Sequence, residues 1–106
     1  MPRKKYDIFK AIADPSRRKI ISLLTVSGAL SITAIASDFK LSRQVVTRHI
    51  NKLEQAGLVQ IEDAGRERYC RVEFGPLKEV FDWVSFYEKF WDEKLNSLEA
   101  HLLKKN

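Results

Sequence analysis

The stretch LSRQVVTRHI, Leu41 to Ile50, places Arg43, Gln44, Thr47 and Arg48 close together with almost no acid beside them. At 100° per residue, Val46, His49, Ile50 and Leu53 fall within about 100° of one another, the apolar stripe of a packed helix. Gln44, Arg48, Asn51 and Gln55 lie on the opposite side, with Arg43 and Thr47 on one flank and Lys52 on the other. Arginine can give two donors to guanine O6 and N7, glutamine can pair with adenine N6 and N7, and threonine can bond a phosphate or touch a thymine methyl. The competing explanation is a solvated helix surface held by ion pairs. It fits poorly, because Arg43, Arg48 and Lys52 are like charges four or five residues apart, which repel. The face therefore predicts contact with double-stranded DNA. His49 lies on the apolar flank and is expected to pack.

Charge along the chain supports a polyanionic partner. Residues 1–71 carry 14 of the 19 lysines and arginines against 7 of the 14 acids, whereas residues 72–106 carry 5 against 7. A basic body with a mildly acidic tail suits nucleic acid. The single cysteine, Cys70, allows no internal disulfide and suits a reducing compartment. No apolar run approaches the roughly 20 residues of a membrane span. The basic N-terminus, MPRKKYDIF, lacks the apolar core of a signal peptide. The expectation is a cytoplasmic protein without a membrane partner. No paired carboxylates, nucleophile motif, phosphate loop or metal cluster appears, so no enzyme and no cofactor are expected. Arg3, Lys4 and Lys5 form a basic arm that could reach phosphate or be a disordered end.

The elements that must position this surface follow from punctuation and period. Tyr6 to Ala13 reads as a helix with Ile8, Phe9, Ile12 and Ala13 inward, stopped by Asp14-Pro15. Asp14 suits an N-cap and Pro15 a first helical position. Gly28 ends the next helix. Ser31 caps a short helix, Ile32 to Phe39, with Ile32, Ile35, Ala36 and Phe39 inward. After the tight turn at Lys40-Leu41, Ser42 caps the basic helix, which runs to about Ala56 before Gly57. The period then changes. Leu58–Glu62 and Arg68–Phe74 read as strands around a turn at Asp63–Glu67, whose Arg66 and Arg68 could reach the DNA backbone or minor groove. Pro76 opens a final helix to Lys104, about 43 Å long at 1.5 Å per residue.

The expected fold class is mainly α with a small β-hairpin. It is a winged helix-turn-helix with a long C-terminal dimerisation helix, in one domain over residues 1–106. Residues 31–57 form the helix-turn-helix, 58–74 the wing, and 6–13 and 76–104 the dimerisation helices. From Leu77 the apolar positions Val80, Val84, Tyr87, Trp91, Leu95, Leu98 and Leu102 make a seam of three- and four-residue steps, widened by Phe81, Trp83, Phe86 and Phe90. So much apolar surface calls for a second copy. The expected homodimer interface is Ile8, Phe9, Val84, Tyr87, Trp91, Leu95 and Leu98; a ligand pocket lined by the aromatics is the lesser alternative.

IFKAIADPSRRKIISLL resembles the N-terminal signature of the ArsR/SmtB family of winged-helix repressors. LSRQVVTRHINKLEQAGLV is similar to that family's recognition helix. GRERYCRV is similar to its wing, with Tyr69 one residue early and Cys70 in the usual aromatic place. The resemblance spans residues 6–104. It implies a homodimeric transcriptional repressor, or autorepressor, that binds operator DNA, and the two-fold axis of such a dimer makes the expected operator an inverted repeat. It puts Ser42, Gln44, Thr47 and Arg48 in the recognition helix and Arg66 in the wing; Arg43, Asn51 and Arg68 complete the expected DNA-binding set. Metal-sensing members place Cys-x-Cys on the helix before the recognition helix, or Asp/His and His/Glu pairs on the last helix. Here the former reads SITAIASDF, and His101 has no histidine partner. The resemblance is therefore to the metal-independent branch, with no metal site. FYEKFWDEKLNSLEAHL resembles the C-terminal helix of regulators encoded beside START-like ligand-binding proteins. The alternative function is a winged-helix module that binds protein.

Overall fold

A computed structural model describes residues 6–104; the basic arm at Arg3, Lys4 and Lys5 lies outside them. In chain order the elements are α1 (Ile8–Ala13), α2 (Pro15–Ser27), β1 (Leu30–Ser31), α3 (Ile32–Phe39), α4 (Arg43–Gln55), β2 (Val59–Ala64), β3 (Glu67–Val72), α5 (Leu77–Phe86) and α6 (Glu88–Lys104).

Helix α1 starts two residues later than expected because Asp7 is its cap. The Asp7 carboxylate accepts from the N–H groups of Phe9 at 2.6 Å and Lys10 at 3.4 Å. Its inward residues are Ile8 and Ala11, while Ala13, expected inward, is exposed. A six-residue helix is marginal alone, and the Asp14–Arg18 corner stabilises it. Asp14 accepts from the N–H groups of Ser16 at 2.7 Å and Arg17 at 3.2 Å, with Pro15 opening α2. Arg17 then reaches back, its Nε donating to the Ala11 carbonyl at 2.7 Å and its Nη2 to that of Lys10 at 3.2 Å. Arg18 Nη1 donates to the carbonyls of Ile12 at 2.7 Å and Ala13 at 3.1 Å. The last four carbonyls of a helix lack partners within it, and here two guanidinium groups meet all of them.

Helices α1 to α4 and the sheet enclose the core. Ile20 and Leu24 of α2, Ile32 and Ile35 of α3, Val46, Ile50 and Leu53 of α4, and Leu58, Val59 and Cys70 near the sheet are all buried. Ser31 Oγ caps α3 through the Ala34 N–H at 3.0 Å. The chain leaves α4 through Gly57 at φ +80, with Gly57 N–H bonded to the Glu54 carbonyl and Leu58 N–H to that of Leu53, both at 2.9 Å. This left-handed exit suits glycine. Lys40 makes the same exit from α3 at φ 57, a conformation that costs an L-residue roughly 1–2 kcal/mol.

The sheet has three antiparallel strands in the order β1-β3-β2, not the two of a bare hairpin. Strand β1 was not expected, since two residues show no period. It pairs Leu30 with Cys70 and Ser31 with Tyr69, which makes β3 central and buries Cys70 completely. The turn is tighter than the expected Asp63–Glu67. Ala64 pairs with Glu67, which leaves only Gly65-Arg66, with Gly65 at φ +65.

The C-terminal segment is two helices, not one. Helix α5 rests on α1 through Phe9 and Trp83, edge to face at 5.7 Å, and its Leu77 and Val80 touch the core. At Tyr87 the N–H turns to the Val84 carbonyl at 3.0 Å, a tighter bond than the α-helical one, and α6 begins. Every residue from Phe86 to Leu103 is exposed. The radius of gyration, 18.4 Å, exceeds the ~13 Å of a compact chain of about 100 residues, so α6 extends beyond the body. No helix among the described residues is long and apolar enough to cross a membrane.

The α1–α2 corner generates a stability prediction. Burial works to raise the Asp14 pKa. The N–H groups of Arg17 and Ser16, aided by the charges of Arg17 and His49, outweigh it and hold the carboxyl below its ordinary 3.8. A carboxylate with a depressed folded pKa adds stability above its unfolded value, and that stability is lost as pH falls through the folded one. Asp14→Ala should cost about 1 kcal/mol in denaturant melts at neutral pH. Asp14→Asn, which keeps the capping oxygen, should cost less and should flatten the acid limb below pH 3.8.

Candidate nucleic-acid interface

Helices α3 and α4, joined by the Lys40–Ser42 turn, form the helix-turn-helix. Ser42 Oγ accepts from the Val45 N–H at 3.1 Å and so starts α4; its hydroxyl proton remains available to donate. Val46, Ile50 and Leu53 are 0% exposed. Seated on this stripe, α4 turns Arg43, Gln44, Arg48 and Asn51 to solvent, with Thr47 half-buried. Arg43, Gln44, Thr47 and Arg48 line one open depression, and the first turn of α4 holds no acid. His49 is half-buried near Asp14.

The described arginines fall into two groups. Arg17 and Arg18 are spent on the carbonyls of α1. Arg68 Nε donates to Asp63 Oδ1 at 3.0 Å across the hairpin. Arg71 pairs with Glu62 at 3.6 Å and hydrogen-bonds Gln60. By contrast, no hydrogen bond or ion pair among the described residues engages Arg43, Arg48 or Arg66. Arg68, expected to bind DNA, is paired with Asp63 at an exposed position of the hairpin. The two-residue turn sets Asp63 directly opposite it, which a five-residue turn would not. Lys52 is drawn aside too, its Nζ lying 4.9 Å from the Tyr6 ring centre.

Of the residues expected at a dimer contact, Ile8 is 2% exposed and belongs to this chain's own core, a correction that follows from its place on the inward face of α1. Phe9 is half-buried against Trp83. Val84, Tyr87, Trp91, Leu95 and Leu98 are exposed on α5, at the junction and on α6. Trp83, Tyr87 and Phe86 form a run of edge-to-face rings there.

Among the described residues, no group of three or more His, Cys, Asp or Glu side chains is placed to hold a metal ion. Burial pushes the Cys70 thiol up to about 11, so it is uncharged at neutral pH. Two contacts have no motif to announce them: Tyr6 with Lys52, and Thr33 with Glu67, whose Oγ1–Oε1 distance is 3.3 Å. Recognition of β1 in the sequence would have exposed the second, because β1 brings the start of α3 beside the wing.

A family model described as a helix-turn-helix domain matches residues 12–62. The transcriptional repressor SdpR of Bacillus subtilis (strain 168) is 33% identical over 78 residues, which cover 74% of this chain and 86% of that protein. A crystal structure of an ArsR family transcriptional regulator superposes with a TM-score of 0.71 at 30% identity, over 80% of this chain and 87% of the other. The homodimeric winged helix-turn-helix DNA-binding domain of a possible ArsR-family regulator from Mycobacterium bovis gives a TM-score of 0.61 at 25% identity, over 76% and 73%. A three-stranded wing behind a helix-turn-helix, with relatives of this kind over most of its length, places the chain in the ArsR family of winged helix-turn-helix transcriptional regulators.

Proposed function

We propose that this member of the family is a homodimeric repressor that reads an inverted-repeat operator through α4 and does not sense metal. One observation carries the reading: the arginines that hold the fold together are partnered, while Arg43, Arg48 and Arg66 are free on the helix-turn-helix and wing. In this assignment Arg48 and Gln44 address base edges, and Ser42, Thr47, Arg43 and Asn51 fix the register on phosphates and thymine methyls. Arg66 supplies the wing contact. Arg68 serves the hairpin through Asp63.

The exposed seam supports the dimer. Trp91, Leu95 and Leu98 are each more than half exposed on a helix that extends beyond the body, and a second copy would cover them. The relative from Mycobacterium bovis is homodimeric. A two-fold axis presents two recognition helices to half-sites about 10–11 bp apart. For metal, the buried and protonated Cys70 and the lack of an assembled ligand set among the described residues support insensitivity.

Three outcomes check this proposal. Arg48→Ala should weaken binding to a selected operator by about 1–3 kcal/mol, with far less loss on random DNA, whereas Arg66→Ala should weaken both more evenly. Fluorescence anisotropy on both duplexes separates these patterns, and equal losses for Arg48→Ala would refute the base contact. In analytical ultracentrifugation, Leu95→Asp should lower dimer affinity and, with it, DNA affinity; a variant that still dimerises normally would assign α6 to its own subunit. Zinc, cadmium or arsenite at low micromolar concentration should leave operator affinity unchanged, and a stoichiometric release of DNA would reveal a site built between subunits.

A further inference from the structure

We propose that Glu67 is a positioning residue that locks the wing to α3 through Thr33 and so places Arg66 on the DNA; this rests on the DNA-binding reading above. The backbone attachment of the wing to the helix-turn-helix is short. Strand β1 has two residues, paired as Leu30 with Cys70 and Ser31 with Tyr69. The Thr33–Glu67 contact continues that register past the last backbone pair, from the hydroxyl of Thr33 to Oε1 of Glu67 at 3.3 Å. It joins side chains 34 positions apart in the chain, and it lies one residue from Arg66. Glu67 is half-buried, whereas Arg66 and Arg68 on either side are exposed. Thr33 sits in the first turn of α3, which has no acid of its own. On the other edge of the hairpin, Asp63 holds Arg68, so the tip is braced from both sides and Arg66 is the cation left to project.

The two accounts of Glu67 predict opposite signs. As a mere surface acid beside a polyanion, it opposes binding, and its removal should tighten DNA affinity. As a positioning residue, it supports binding, and its removal should weaken it. The cleanest variant is Thr33→Val, which changes no charge and alters an exposed position. The full-length protein and its variants would be titrated, over a range of salt, onto a duplex that the wild-type protein selects from a random pool. Thr33→Val should weaken binding about two- to fivefold, the scale of one exposed hydrogen bond. It should also lower the salt slope by about 0.9, the mark of one lost phosphate contact. Arg66→Ala should lower the slope equally, and Thr33→Val should add nothing in that background. Glu67→Ala should weaken binding despite the charge removed. An unchanged affinity and slope for Thr33→Val, or tighter binding by Glu67→Ala, would overturn the role of Glu67 while the wild-type slope stays steep. A wild-type slope near zero would overturn the DNA reading itself.

Discussion

A helix that offers its polar side chains to a partner must be held by the others, and in α4 those are Val46, Ile50 and Leu53, all fully buried. Burying each contributes about 1.5–3 kcal/mol, and their spacing also sets the rotation of the helix. A slip of one residue is a turn of about 100°, which would carry Thr47 and Arg48 toward the core and lift Val46 out of it. The stripe thus turns Arg43, Gln44 and Arg48 outward. The rest of the body serves that seat: α2 and α3 pack behind it, and the Gly57 exit leads into β2 with Leu58 and Val59 still buried.

The same residue type does two kinds of work, and its surroundings decide which. Arg17 and Arg18 end against four carbonyls that α1 cannot satisfy itself. These donors are therefore tied to the fold, although Arg18 itself stays exposed. Arg68 and Arg71 are likewise offset by Asp63 and Glu62. Among the arginines of the described residues, those left unpartnered are Arg43 and Arg48 on α4 and Arg66 at the wing tip, which is a more specific feature than a net charge of +5.

The sequence was most legible where one residue governs local backbone. The caps at Asp14, Ser31 and Ser42 and the exits at Gly28 and Gly57 stand where expected, because each acts within a few residues. Legibility failed where the cause was distant. Strand β1 is too short for a period and exists because β3 passes beside it. The break at Tyr87 leaves no gap in the apolar steps, which run through it unchanged. Ile8 and Phe9 are adjacent apolar residues on one short helix, and only packing separates the one that enters the core from the one that meets Trp83. The partnering of Arg68 depended on a turn two residues long.

The division of the arginines is open to direct observation, because each guanidinium Nε–H gives its own NMR signal. The measurement is a titration of isotope-labelled protein with a selected duplex, followed at the arginine Nε–H groups. The account predicts that Arg43, Arg48 and Arg66 shift or broaden on binding, while Arg17 and Arg18 keep the positions set by the α1 carbonyls. A complex that forms with Arg43 and Arg48 unmoved, or with its changes centred on α5 and α6, would contradict it.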